Sequence, residues 1–163
     1  MNASNRPYAR MPRANPARAR AQRGIAAMEF ALVFPLFFLI LYAIVTYSLI
    51  LVAQQNLTLA ASEGARAALN WQSNSSMSDA LSKRATAACN AANLVAVTLV
   101  QSMQCTTTTT ACGPGNAMQC INVSLSFNYR AHPLVPTLPL LGLTVPNTLS
   151  GNATVQLNPE NIQ

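Results

Sequence analysis

The chain has 163 residues and a formal net charge of +6, yet only 9% of its residues are charged. Soluble domains carry about a quarter charged residues, so this composition argues against a chain wholly exposed to water. One His and four carboxylates leave little from which to build an acid–base or phosphate-handling enzyme site.

The first 24 residues form a basic leader. Arg6, Arg10, Arg13, Arg18, Arg20 and Arg23 meet no acid there, whereas after Gly24 four bases balance four acids. The leader is rich in Ala, Arg and Pro without an apolar period, and it is expected to be disordered. A basic tail can bind nucleic acid. This one has no aromatic beyond Tyr8 and abuts a membrane-length segment. Arginines retained on the cytoplasmic side of a span explain it better, and no nucleic-acid partner is expected.

From Phe30 to Ala53 there is no Lys, Arg, Asp, Glu or His, and 16 of the 24 residues are Leu, Ile, Val or Phe. As a helix this run rises about 36 Å, against a hydrocarbon core of about 30 Å. Its apolar side chains favour insertion by roughly 5–10 kcal/mol, and the carboxylate at its mouth, Glu29, offsets at most about 3 kcal/mol. The run is too long for a cleavable secretory signal. The leader has neither the Ser content of a mitochondrial presequence nor the adjacent arginines of a twin-Arg signal. The expected topology is one membrane span over residues 25–53, N-terminus on the cytoplasmic side and C-terminal side outside. Pro35 inside it frees the carbonyl of Ala31, which a membrane helix tolerates as a mild kink.

The helix is expected to extend over residues 54–70. The stretch QQNLTLAASEGARAAL is rich in helix formers, and Glu63 can pair with Arg66 on one face. Leu57, Ala61, Gly64 and Ala68 make a narrow stripe of mostly small residues, open either to another helix or to the chain's own outer domain. That small domain spans residues 71–163. It begins with a polar turn at Asn70–Ser76 and a short helix over Asp79–Ala92, capped by Ser78. A strand at Leu94–Gln101 follows, then a Thr/Gly/Pro loop from Cys105 to Cys120. Ile121–Tyr129 alternates as a half-buried strand. His132–Pro146 reads as an irregular Pro- and Leu-rich crossover, and Ala153–Leu157 as an edge strand. The fold class is α+β: a long N-terminal transmembrane helix extending into a small outer domain with a short helix and a few antiparallel strands.

Cys89, Cys105, Cys112 and Cys120 all lie beyond the span, and an even number there reads as two disulfides. A domain this small gains from such staples. No C-x2-C pair occurs, which disfavours zinc. Three pairings are open. If the strands at Leu94–Gln101 and Ile121–Tyr129 pair, Cys105 faces Cys120, leaving Cys89 for Cys112. Bonded thiols leave no Cys–His catalysis. His132 reads as a surface loop residue and Trp71 as a packing or interface residue. Asn-x-Ser/Thr triplets such as Asn122-Val123-Ser124 are given no role. No metal or cofactor is expected.

Gly24, then four residues, then Glu29-Phe30, then the apolar segment EFALVFPLFFLIL with Pro35, then QQNLTLAASEGARAAL: this order resembles the TadE-like pseudopilins, or minor pilins, of the tight-adherence (Flp) branch of the type IV pilus superfamily. The resemblance is carried by residues 23–69 and is loose beyond them. It implies a structural, non-enzymatic protein cut by a prepilin peptidase between Gly24 and Ile25. Ile25 would then carry a new α-amine, ordinarily of pKa about 8. Glu29 stands one helical turn away and could serve that amine or a neighbouring subunit's during docking. Phe30 and the chain length favour a minor subunit over the bulk filament pilin. The implied partners are the peptidase, other pseudopilins and Tad assembly components, and membrane lipid. The alternative is an uncleaved single-pass protein that displays an adhesive or scaffold domain, with Glu29 snorkelling to the interface.

Overall fold

The computed structural model describes residues 16–97, 100–136 and 144–162. Its elements are helix α1 (Pro16–Ala67), helix α2 (Met77–Ala96) and strands β1 (Gln104–Cys112), β2 (Met118–Asn128) and β3 (Thr148–Leu157). The architecture is α+β, as expected. The described residues fall into two compact units that divide between Tyr42 and Ala43.

Helix α1 begins at Pro16, so the end of the leader is helical where disorder was expected. Proline suits the first helical position, and the ARARAQR that follows consists of good helix formers. Residues 1–15 lie outside the described residues. In the first unit every α1 residue from Gly24 to Leu41 is exposed. In the second unit the helix and the turn that ends it bury Thr46, Ile50, Ala53, Leu57, Ala61, Ala65 and Ala68, a row spaced by three or four residues. The expected Glu63–Arg66 pair forms at 3.3 Å. After Ala67 the helix tightens and stops, with Leu69 and Asn70 donating to carbonyls three residues back.

Helix α2 is capped by Ser76 rather than Ser78. The Ser76 backbone is extended (φ −161°, ψ 163°), and its hydroxyl accepts the Asp79 N–H at 3.2 Å. The helix continues to Ala96, so Leu94–Ala96 is helix and the expected strand there is absent. Packing explains the difference. Ala80, Arg84, Ala88, Ala92 and Ala96 are buried at every fourth position, and this row carries the helix through residues with some strand preference. Residues 98–99 lie outside the described residues, and Val100 and Gln101 are not in a strand.

The first strand lies instead in the expected loop. β1 contains Thr106–Thr110, and β-branched side chains favour extended backbone. It pairs antiparallel with β2 from Gln104↔Ser126 to Cys112↔Met118, turning through Gly113 (φ +76°) and a 3-10 turn at Pro114–Asn116. β2 fulfils the expected alternation, and β3 pairs along its other side, giving the order β1-β2-β3. The expected edge strand is therefore present, longer at its start. Of the expected crossover, residues 137–143 lie outside the described residues; its described flanks carry no helix or strand.

One sheet face builds the core. Ile121, Val123, Leu125 and Phe127 of β2 are buried beside Leu149 and Gly151 of β3. Each large side chain buried this way contributes about 1.5–3 kcal/mol. Two glycines let the layers approach. A Cβ on Gly64 would stand 2.7 Å from the Ala88 carbonyl oxygen of α2, and one on Gly151 would stand 2.5 Å from the Leu57 backbone of α1. The opposite sheet face carries Thr106, Thr108, Asn122, Ser124, Ser126, Asn152 and Thr154, with Ser124 donating to the Asn152 side-chain oxygen.

The disulfides are Cys89–Cys105 and Cys112–Cys120, each with Cα atoms 5.8 Å apart. The expected pairs, 105 with 120 and 89 with 112, are corrected. That arrangement relied on a strand at Leu94–Gln101. With β1 starting at Gln104, Cys105 shares the core face of the sheet and bonds to α2. Cys112 and Cys120 sit on the outer face, diagonal across the hairpin.

Candidate functional site

Gly24, Ile25, Glu29, Phe30 and Pro35 lie together on α1 in the first unit, and all are exposed. Ile25 and Glu29 are four residues apart, hence on one helix face one turn apart. A Cβ on Gly24 would meet nothing within 4 Å, so packing within this chain does not require glycine there. The helix is continuous through the Gly24–Ile25 bond. Beyond Glu29, the rings of Phe30 and Phe34 stack at 5.2 Å between centroids, and those of Phe34 and Phe38 at 6.4 Å. This ring ladder was missed from the sequence, although its signal, Phe at every fourth position, is visible there.

The part of α1 from Gly24 onward is long and apolar enough to cross a membrane, with a mean hydropathy of 2.6. Phe30 is 65% exposed and Leu32 76%. So continuous an apolar surface calls for lipid or other apolar helices around it. The small stripe has a different neighbour. Leu57, Ala61, Gly64 and Ala68 are buried within the second unit, where Gly64 meets α2 and Val123 of β2. Of the two partners open to the stripe, the chain's own domain takes it.

Arg84 was not singled out from the sequence. It is only 2% exposed, and its Nη1 donates to the carbonyls of Ala68 and Leu69, each at 3.2 Å. It thus satisfies carbonyls at the end of α1 from within α2. The available signal was an Arg set in a row of alanines four residues apart.

No catalytic arrangement is assembled among the described residues. His132 is exposed and borders an open depression with Gln101, Ser102, Phe127 and Leu134, where no carboxylate or thiol joins it. All four cysteines are in disulfides. No group of three or more His, Cys, Asp or Glu could hold a metal among the described residues. Trp71 is 67% exposed, outside the core. Asp79, at the start of α2, is a carboxyl held by its neighbours. The Lys83 ammonium, 2.9 Å away, and the Ser75 N–H hold it below the usual carboxylate value.

The chain thus combines a membrane-length apolar helix, fit for membrane anchoring, with a small disulfide-bonded α+β domain. The family model described as TadE-like protein matches residues 24–66, the stretch that holds Gly24, Glu29, Phe30, Pro35 and, of the small-residue stripe, Leu57, Ala61 and Gly64. The chain is thus TadE-like over this segment, consistent with a pilin of the Tad (Flp) system. No curated protein and no solved structure matches it.

Proposed function

We propose that this protein is a minor pilin, a pseudopilin with a structural rather than enzymatic role in assembly of the Flp pilus. The observation that carries the reading is the TadE-like match, which begins at Gly24 and runs along α1. In this reading the helix spans the inner membrane with the leader cytoplasmic and the disulfide-bonded domain periplasmic. A prepilin peptidase removes the leader after Gly24. Ile25 then presents an ammonium group, and Glu29 one turn away offers the countercharge that a low-dielectric setting demands. Phe30 and Pro35 lie on the same exposed helix, available to other pseudopilins and Tad assembly components.

One observation favours the uncleaved alternative, a permanent single-pass anchor for an adhesive or scaffold domain. The helix continues without a break through Gly24–Ile25, so a peptidase must open at least one turn before cutting. N-terminal sequencing of the protein from membranes separates the two. Ile25 at the start supports the pilin reading, and a retained leader overturns it. Glu29→Ala is expected to insert and to be cleaved normally, yet to fail in pilus formation; wild-type piliation of this variant would remove Glu29 from its role.

A further inference from the structure

The sheet of the second unit has two edges, and they are treated differently. β3 is approached by α1: Gln54 Nε2 donates to the Ser150 carbonyl at 3.0 Å, and Gly151 lies against the Leu57 backbone. β1 is held on its core face by α2 through Cys89–Cys105, but along its outer edge the described residues supply no such cover. Thr106, Thr108, Thr109, Thr110 and Ala111 are exposed, and among the described residues no backbone hydrogen bond reaches β1 except those from β2. A strand edge is a row of unpaired donors and acceptors, and natural proteins usually blunt it with lysine, proline, a bulge or a short length. β1 has none of these. It runs nine residues, pairs with β2 in unbroken register, and lies in a stretch without any charged residue between Arg84 and Arg130.

We infer that the β1 edge is an interface on which a second copy of this chain adds its own β1 antiparallel, joining two three-stranded sheets into one of six strands. The occupant follows from the strand itself. QCTTTTTAC is close to its own complement about Thr108: Thr107 would meet Thr109 of the second copy, and Thr106 would meet Thr110. Cross-strand Thr–Thr pairs are favourable, and no like charges are brought together. A charged peptide would find no countercharge along this edge. In a β1–β1 pair the two copies use the same edge, related by a two-fold axis. The contact is therefore isologous and closes at two copies instead of propagating. It does not depend on removal of the leader.

The test uses the full-length chain in lipid nanodiscs, with its native disulfides formed. In an antiparallel pair centred on Thr108, the two Thr108 Cα atoms lie about 4.5–5.5 Å apart, within the range that a disulfide spans. Thr108→Cys should give a covalent dimer under mild oxidation. Asn152→Cys, on β3, should stay monomeric. Thr106→Cys and Thr110→Cys should cross-link efficiently only when the two variants are mixed. Thr108→Lys places two like charges side by side and should abolish dimer formation, with the circular dichroism and the native disulfides unchanged. Absence of both cross-links overturns the inference. So does a Thr108→Lys protein that dimerises as well as wild type, which would assign the association to α1.

Discussion

At the scale of single residues, three glycines separate packing from the proposed processing. A Cβ on Gly151 would meet the carbonyl carbon and oxygen of Leu57 at 2.5 Å, with the Thr58 nitrogen at 2.8 Å; all are backbone and cannot swing aside. A Cβ on Gly64 would meet one backbone oxygen at 2.7 Å and the Ala92 side chain at 3.1 Å. Overpacking costs about 1–3 kcal/mol. At Gly64 it is offset by a gain in helix propensity of about 1 kcal/mol for alanine over glycine. Gly151→Ala should therefore destabilise the second unit more than Gly64→Ala, by about 1 kcal/mol or more in denaturant titrations. Gly24 has open space around it, so Gly24→Val should leave that stability unchanged while blocking leader release, as read by intact mass. Equal loss of stability at Gly24 and Gly151 would contradict both assignments.

At the scale of elements, α2 illustrates what the sequence discloses and what it conceals. Its start is a reciprocal arrangement: the Ser76 hydroxyl accepts the Asp79 N–H, and Asp79 accepts the Ser75 N–H at 3.1 Å while pairing with Lys83. The Asp79 carboxyl is held below its unfolded value, so its stabilisation is fully present above that value, about 3.9. It fades as the pH falls through the lower folded value. Asp79→Asn should lower the melting temperature near neutral pH and match wild type in strong acid; an equal deficit at both pH values would refute this linkage. Ser76→Ala should cost about 1 kcal/mol. A Ser–Ser–Met–Ser run signals a cap but not which serine serves, because the choice depends on backbone geometry. β2 was legible because one face of it is apolar and the other polar, giving strict alternation. β1 was not, because threonine carries strand propensity without hydrophobicity, and its run resembles a polar loop. The cysteine pairing failed with it, since which thiols meet is set by which strands pair. LVAVTLVQ misled for the converse reason: its β-branched residues favour a strand, yet Ala96 completes a buried row begun sixteen residues earlier at Ala80.

At the scale of the whole molecule, the apolar run that makes α1 fit to cross a membrane is divided between two settings. Phe30 to Leu41 is exposed throughout, whereas Thr46, Ile50 and Ala53 are buried in the second unit, and the Tyr47 hydroxyl donates to the Thr144 carbonyl at 3.2 Å. Composition alone could not divide the run, because lipid and a protein core select the same side chains. The division has a measurable consequence. A fragment of residues 43–163 retains the whole buried row of α1 and both disulfides, so it should fold with native pairing. A fragment of residues 54–163, cut where the apolar run ends, loses Thr46, Ile50 and Ala53 from the core together with the Tyr47 bond. Removal of one large buried aliphatic side chain costs about 2–5 kcal/mol, a large share of what holds a small domain together. The shorter fragment should be less stable by at least that amount in denaturant titrations, or expose enough apolar surface to bind a hydrophobic dye. Equal stability of the two fragments would mean that residues 43–53 belong to the membrane alone. A stability gap would mean that the end of the apolar run is already part of the domain, so that packing, not hydropathy, sets where the free helix begins.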